Sequence, residues 1–294
     1  MKYLFKGSAV ALITPFTKDG NVGFDALKRL INLQLDAKTD AIVVLGTTGE
    51  PATLTMDEKI KIMRFAKEQI AGKAKFIVGT GANSTKSAVD MSVLAEKEGA
   101  DGLLIVTPYY NKCTQKGLVK HYEKIANAVN IPIIVYNVPG RTGVNILPQT
   151  AEELSKIPNI VGIKEASGNI SQMVDLCSRL WDKMAVYSGD DSLNYVFMTL
   201  GASGVISVTA NAYPKEVRFV TQKCLSCDFV SALKMHNKLL KINKDLFVEV
   251  NPTPVKFVCS KMNLCENLLR LPLLPLDSSF ENLLESDMEE LKEK

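Results

Sequence analysis

The sequence predicts an α/β fold, a (β/α)8 TIM barrel with a C-terminal helical appendix. Short and almost unbroken runs of Val, Ile and Leu are typical of strands that are buried on both faces. Helical segments alternate with these runs, as parallel strands joined by crossovers require. The runs are SAVALITP, AIVVLGTT, KFIVGTG, GLLIVTP, IPIIVYN, IVGIKEA, MAVYSGD and GVISVTA. A doubly wound open sheet is the alternative, but no strand-to-helix turn has a GxGxxG or P-loop sequence.

Helix signals lie between the runs. Thr55-Met56-Asp57-Glu58 opens a helical pattern after the second run, and Ser84-Thr85 opens another that stops at Gly99. The β/α units end near residue 228, so we predict a barrel over residues 1–229 and a C-terminal helical region over 230–294. Two or three helices are expected there, interrupted by Pro252, Pro254 and the stretch 271–276.

Charge and composition exclude several classes of function. The chain has 294 residues, of which 46% are hydrophobic, and 35 basic and 32 acidic residues leave a net charge of +3. Such a small, dispersed charge indicates neither a nucleic-acid partner nor a membrane partner. The start of the chain is basic and then apolar, as in a signal peptide, but Pro15 and Lys18 interrupt the apolar run. We interpret this segment as the first strand of a cytoplasmic protein.

Potential metal ligands are sparse. The six cysteines are scattered, and Cys224 and Cys227 form a single CxxC inside a helical pattern without a second pair. His121 and His236 are the two histidines, and each lies in a helical pattern. We therefore predict free thiols, no metal site and no cofactor.

Lys164 is the candidate reactive group. It lies in the apolar segment IVGIKEASG, where burial would favour the neutral amine, the form that attacks carbonyl groups. Strand alternation predicts Ile160, Gly162 and Lys164 on one face, with open space at Gly162 beside the lysine. A lysine whose charged end reaches water at the strand end is the alternative.

Polar side chains end several other predicted strands, at the side of a barrel where active sites lie. The segments are Gly46–Glu50, Thr107–Asn111, Tyr136–Thr142, Ser188–Asp191 and Ile206–Ser207. Each segment alone could be a turn, a packing pair or a solvated charge. Together they predict hydroxyls, phenols, a guanidinium and an amine around one barrel mouth.

These residue types support chemistry on a 2-oxo acid. A Schiff base at Lys164 would form an iminium, and loss of a proton from its methyl group would give an enamine, a carbon nucleophile. Tyr136 is the candidate acid and base, and Thr47 and Tyr110 could connect it to solvent. Successive backbone amides at Thr47-Thr48 suit a substrate carboxylate. Arg141 could bind a second carboxylate through two parallel hydrogen bonds.

The motifs that carry these residues resemble those of the dihydrodipicolinate synthase family. They are GTTGE (46–50), TPYYN (107–111), YNVPGRT (136–142), VGIKEASG (161–168) and SGDD (188–191). The first motif and the lysine motif are shared across pyruvate-dependent lyases, including N-acetylneuraminate lyase and keto-deoxy sugar acid aldolases. The arginine of YNVPGRT marks the synthase.

The resemblance implies condensation of pyruvate with L-aspartate 4-semialdehyde on the route to diaminopimelate and lysine. It implies that the tyrosine at position 110 enters a neighbouring subunit's site, so that a dimer is the catalytic minimum and a homotetramer, a dimer of dimers, the usual assembly. It also implies a role for each site residue: Lys164 forms the Schiff base; Tyr136, Thr47 and Tyr110 relay protons; Thr47 and Thr48 bind the pyruvate carboxylate; Arg141 binds the semialdehyde carboxylate; and Gly189 and Ile206 line the backbone near pyruvate.

Other functions remain open from the sequence. A sugar-acid lyase of the same superfamily is the nearest, and Arg141 is the residue that discriminates against it. A non-catalytic barrel with a carboxylate pocket is the alternative from a different class, although the amine, both tyrosines and the threonine argue for an enzyme. A zinc-dependent aldolase is disfavoured because two helical histidines cannot supply its ligands.

The resemblance also bears on regulation. Relatives inhibited by lysine bind it with a histidine or similar polar residue in the helix after GTTGE and a glutamate in the helix after GTGAN. Asn83 and Tyr109 keep that pattern, whereas Met56, Lys59 and Ser87 depart from it. We therefore expect insensitivity to lysine.

Overall fold

Eight parallel strands close into a barrel in the order β1 to β8, with β8 paired to β1. The structure is a computed structural model that describes residues 3–293. The barrel confirms the predicted fold and makes the open-sheet alternative wrong. The strands are β1 (Gly7–Ala11), β2 (Ala41–Val44), β3 (Lys75–Gly79), β4 (Gly102–Val106), β5 (Ile133–Asn137), β6 (Ile160–Glu165), β7 (Ala185–Ser188) and β8 (Gly204–Ser207).

Helices separate the strands, and the predicted starts are correct. Thr55 caps α2 with a reciprocal pair of bonds to Glu58, and the Ser84 side chain accepts the backbone N–H of Ser87 at the start of α3. The helices are α1 (Phe24–Asp36), α2 (Met56–Ile70), α3 (Thr85–Lys97), α4 (Gln115–Ala126), α5 (Pro139–Thr142), α6 (Pro148–Leu154), α7 (Ile170–Leu180), α8 (Asn194–Thr199), α9 (Pro214–Leu225), α10 (Phe229–Asp245), α11 (Thr253–Lys261) and α12 (Glu281–Glu293).

The barrel interior is packed. Inward side chains of the strands form one buried apolar cluster, which includes Ile134, Val161 and Ile206. Phe5 and Tyr187 belong to the same cluster, with stacked rings 4.5 Å apart, and the Tyr187 hydroxyl donates to the Phe5 carbonyl at 2.8 Å. Because Phe5 precedes β1, this pair fills the end of the barrel where the strands begin. The opposite end is left for a cavity.

Strand β6 departs from simple alternation. Ile133 pairs with Ile160, but the next residue of β5 pairs with Gly162, so β6 has one extra residue. This bulge turns Val161 into the barrel and Ile160 towards the outer core, so the predicted shared face of Ile160 and Lys164 is wrong. The predicted open space at Gly162 is also wrong, because a Cβ atom there would lie 2.8 Å from the Tyr187 ring.

The C-terminal region consists of helices α10, α11 and α12. Pro254 does not interrupt a helix, since it is the second residue of α11, where proline is tolerated. Lys241 of α10 and Asp287 of α12 form an ion pair at 2.8 Å. Among residues 3–293, no helix combines the length and the apolar character that crossing a membrane requires.

Candidate active site

A cavity of about 300 Å³ lies at the ends of the strands, opposite the Phe5–Tyr187 pair. The ends of strands β2, β5, β6 and β7 meet there because all the strands of the barrel run in parallel. The structure thus brings together most of the residues singled out from the sequence: Thr47, Thr48, Tyr136, Arg141, Lys164 and Gly189.

Lys164 is buried, with 4% of its surface exposed, and its Nζ lies 4.3 Å from the centre of the Tyr136 ring. The two residues are direct partners across strands β5 and β6. Burial lowers the pKa of Lys164 to about 8; Asp191 opposes this decrease and Arg141 adds to it. About a tenth of the lysines are therefore neutral at pH 7. The alternative of a solvated lysine is wrong.

Gly189 provides the space that Lys164 occupies. A Cβ atom at this glycine would lie 2.7 Å from Lys164 Cε and 2.9 Å from Ala166 Cβ. The backbone of Gly189 is fixed in this position, because its N–H donates to the Glu165 carbonyl at 2.8 Å. A side chain here would displace the lysine from the cavity.

Tyr136 is a buried phenol. Burial raises its pKa to about 12, although the Arg141 charge opposes the increase. The hydroxyl therefore stays protonated near neutral pH and can donate a hydrogen bond or a proton. Its position beside the Lys164 amine puts a proton donor next to a nucleophile.

The GTTGE motif forms a tight turn at the cavity wall. Residues Thr47–Gly49 make one turn of 3-10 helix, and Glu50 follows in the left-handed region with a φ of 51°. The Thr14 hydroxyl donates to the Gly49 carbonyl at 2.7 Å, and Asn251 Nδ2 donates to Thr48 Oγ1 at 2.8 Å. The turn is held from the segment that follows β1 and from the C-terminal region.

Arg141 lies at the cavity mouth. It belongs to the short helix α5, which begins at Pro139 directly after β5. Its Nη2 donates to the Asn251 carbonyl at 3.1 Å, and the side chain remains largely exposed. A guanidinium held by one bond in this way keeps other donors for an anionic ligand.

Two predicted site residues lie elsewhere. Tyr110 follows β4, is 91% exposed and does not line the Lys164 cavity. Ile206 is fully buried in the inner cluster of the barrel, and Val208, further along the chain, lines the cavity. The roles assigned to Tyr110 and Ile206 therefore stay predictions. Over the described range, no three His, Cys, Asp or Glu side chains converge as metal ligands.

The contribution of the C-terminal region to the cavity was not predicted from the sequence. Asn243 and Lys244 at the end of α10 line the cavity, together with Phe247 and Asn251 from the segment that follows. Asn251 contacts both the Thr48 hydroxyl and the Arg141 guanidinium. The run Asn-Pro-Thr-Pro marks a break between helices, but periodicity gives no information about which break folds over the barrel mouth.

A closed parallel barrel with a desolvated lysine beside a phenol defines a Schiff-base-forming lyase. The family model of the dihydrodipicolinate synthetase family matches residues 4–291. The chain belongs to this family, which confirms the expected lyase of diaminopimelate and lysine biosynthesis.

Individual relatives agree with this assignment. A 4-hydroxy-tetrahydrodipicolinate synthase of Caldicellulosiruptor bescii is 50% identical over 92% of this chain and 91% of its own length. 4-Hydroxy-tetrahydrodipicolinate synthase 1 of Clostridium acetobutylicum is 47% identical over 97% of each chain. The crystal structure of a chloride-inhibited dihydrodipicolinate synthase from Acinetobacter baumannii with pyruvate has a TM-score of 0.96 and 43% identity, over 98% of this chain and 99% of that one.

Proposed function

We propose that this chain condenses pyruvate with L-aspartate 4-semialdehyde to give 4-hydroxy-tetrahydrodipicolinate, without a cofactor. The observation that carries the proposal is the buried Lys164 amine, with a pKa lowered to about 8, beside the Tyr136 phenol in one cavity with Arg141. The cavity combines a carbon-activating amine with binding groups for two carboxylates.

Each residue has a distinct part in the reaction. The neutral Lys164 amine adds to the pyruvate ketone and water leaves, which gives an iminium. The methyl group then loses a proton, and the resulting enamine attacks the aldehyde carbon of the second substrate. Tyr136 takes up and returns protons through Thr47 and Tyr110. The amino group that came from the semialdehyde finally attacks the iminium carbon, which closes the ring, expels the Lys164 amine and leaves the cyclic imine product.

Binding groups surround this reaction. The Thr47-Thr48 turn holds the pyruvate carboxylate, and the backbone at Gly189 and Ile206 lies along pyruvate. Arg141 holds the semialdehyde carboxylate, for which its fork of donors is suited. The N–H groups and hydroxyls of a fixed turn bind an anion without reorganisation, which favours a small carboxylate.

Assembly and organisation complete the proposal. The chain acts in the cytoplasm as a homotetramer, a dimer of dimers, in which Tyr110 reaches into the site of its partner. Tyr110 at 91% exposure and the nearby Tyr109 at 39% support this contact, since large aromatic side chains are commonly covered in assemblies. Residues 1–229 form the catalytic barrel and residues 230–294 the helical region.

Two alternative functions predict different experimental results. A sugar-acid lyase would form the same Schiff base but would not depend on Arg141 for an aldehyde carboxylate. A non-catalytic carboxylate-binding barrel would bind pyruvate without a covalent step. The desolvated Lys164 beside Tyr136 supports the enzyme.

The test combines covalent trapping with a coupled assay. Pyruvate followed by borohydride should reduce the iminium and attach irreversibly to Lys164, as located by peptide mass mapping. Arg141→Ala should keep this adduct while losing most condensation with aspartate semialdehyde. An unlabelled Lys164 under conditions that label a known Schiff-base enzyme would exclude the mechanism, and full activity of Arg141→Ala would favour the sugar-acid lyase.

A further inference from the structure

A buried ion pair joins the GTTGE turn to the C-terminal region. The side chains of Glu50 and Lys256 are 1% and 0% exposed, and Lys256 Nζ contacts Glu50 Oε1 directly. Lys256 also donates to the Leu268 carbonyl at 2.8 Å and lies 4.1 Å from the centre of the Phe16 ring. Burial lowers the pKa of Lys256, and the Glu50 charge opposes this decrease. The charged pair is enclosed by protein.

Stability alone does not explain such a pair. Two charges lose their hydration on burial, and the attraction between them commonly does no more than offset that loss. Apolar side chains of similar volume would fill the same space at least as well. The position of the pair therefore points to a role that depends on geometry.

The pair ends the turn that lines the active-site cavity. The backbone of Glu50 lies in the left-handed region, which is unfavourable for residues other than glycine. Its N–H donates to the Thr47 carbonyl at 3.1 Å. Its carboxylate is held from two sides, by Lys256 and by the backbone N–H of Arg270 at 3.3 Å. Removing these contacts would let the turn relax away from its strained shape.

A second contact from the same segment acts on the same turn. Asn251, just before helix α11, donates to the Thr48 hydroxyl, and Lys256 lies within that helix. The first part of α11, from Thr253 to Cys259, is buried, so the backbone that carries Lys256 is firmly packed. The middle and the end of the turn are thus attached to one short segment of the C-terminal region, residues 251–256.

We infer that Glu50 and Lys256 are positioning residues that set the affinity of the Thr47-Thr48 turn for the carboxylate of the 2-oxo acid. Neither residue lines the cavity that contains the Lys164 amine. The inference rests on the proposed function, because it concerns pyruvate binding at that turn. It assigns to the C-terminal region a part in substrate affinity as well as in folding.

The test uses the double variant Glu50→Gln/Lys256→Met, which leaves neither charge unpaired in the interior. Borohydride trapping of pyruvate on Lys164 is measured across pyruvate concentrations, and thermal unfolding is measured in parallel. The half-saturating pyruvate concentration should rise at least tenfold, because the turn is no longer fixed. The maximal trapping rate should stay within twofold, because Lys164 and Tyr136 are unchanged.

The matched control removes an ion pair of the same region that does not reach the turn. Lys241→Met/Asp287→Asn removes this ion pair between α10 and α12 and should lower the unfolding temperature without changing the half-saturating concentration. If Glu50→Gln/Lys256→Met does not fold, the pyruvate dependence of trapping is measured on Glu50→Asp instead. This variant keeps the negative charge but shortens the side chain by one methylene group, which moves the carboxylate away from Lys256.

The outcomes separate this inference from the proposed function. Wild-type pyruvate dependence in the folded double variant, or in Glu50→Asp, overturns the positioning role. A lost maximal rate with an unchanged half-saturating concentration overturns it too, because the pair would then act on the chemistry. Absence of the adduct from the wild-type protein overturns the proposed function and this inference with it.

Discussion

Gly189 lies so close to Lys164 that a Cβ atom on the glycine would be 2.7 Å from the lysine Cε. The glycine therefore makes room for the nucleophile directly, from a position just after β7, the strand next to that of Lys164. This close approach, and not a turn or a positive φ, explains the glycine at this position. It also gives the site a steric test that leaves every reactive group in place.

Gly189→Ala should lower the rate of pyruvate trapping on Lys164 at least tenfold. The added methyl group also meets Ala166 Cβ at 2.9 Å, so the lysine has to move out of its position beside Tyr136. Gly140→Ala is the matched control, because nothing lies within 4 Å of a Cβ atom there. Equal trapping by Gly189→Ala and the wild-type protein would show that the lysine adapts to the methyl group.

The pH dependence of Schiff-base formation should reflect the lowered pKa of Lys164. The neutral amine is the nucleophile, so the initial trapping rate should rise with pH through a midpoint near pH 8 and then level off. Arg141 contributes to the decrease in the pKa, so Arg141→Ala should move the midpoint to higher pH. Trapping rates at saturating pyruvate between pH 6 and 10 provide the measurement. A midpoint near the ordinary lysine value of 10.5 would contradict the burial argument.

Much of the fold could be predicted because parallel strands have a simple signature. Each apolar run became a strand, since strands covered on both faces tolerate few polar residues. The bulge in β6 could not be predicted, because Ile160, Val161 and Gly162 are all compatible with either face. Which side chains turn inward depends on the pairing with the partner strand, and the local sequence does not specify that pairing.

The site could be predicted only where chain order determines position. Thr47, Tyr136, Arg141 and Lys164 follow or end strands, and a closed barrel brings strand ends together whatever the rest of the chain does. Asn251 was missed because it is far along the chain from the strand ends that it contacts. Its hydrogen bonds depend on the docking of the C-terminal region, a tertiary feature without a local signal.

Tyr110→Phe should lower turnover by at least tenfold without unfolding the barrel. The side chain is almost fully exposed, so loss of its hydroxyl should not unfold the barrel. In the proposed assembly, the lost hydroxyl affects a partner subunit's site. Mixing Tyr110→Phe subunits with inactive Lys164→Ala subunits should restore part of the activity, because mixed dimers contain one site with both groups. Confirmed subunit exchange without recovered activity would place the role of Tyr110 within its own subunit.

A second, larger cavity continues from the active site towards α2 and α3. Its volume is about 500 Å³, and Met56, Lys59 and Ser87 are among its lining residues. Glu50 also lines it, but the carboxylate of Glu50 is paired with Lys256. The cavity therefore presents Met56 and the cationic Lys59 at and beside the position where a polar residue is expected for lysine binding, and Ser87 where a glutamate is expected.

Activity should be insensitive to lysine at ordinary cellular concentrations. A cationic ligand lacks an acidic partner at Ser87 and meets the like charge of Lys59, and each effect is worth about 1 kcal/mol at a partly solvated site. Together they weaken binding roughly tenfold or more. The measurement is the initial rate across a lysine titration. Ser87→Glu, which introduces an acidic group, should be inhibited at lower lysine concentrations than the wild-type chain. Half-inhibition of the wild-type chain below roughly 1 mM, an affinity of about 4 kcal/mol, would show that Met56 and Lys59 still permit lysine to bind.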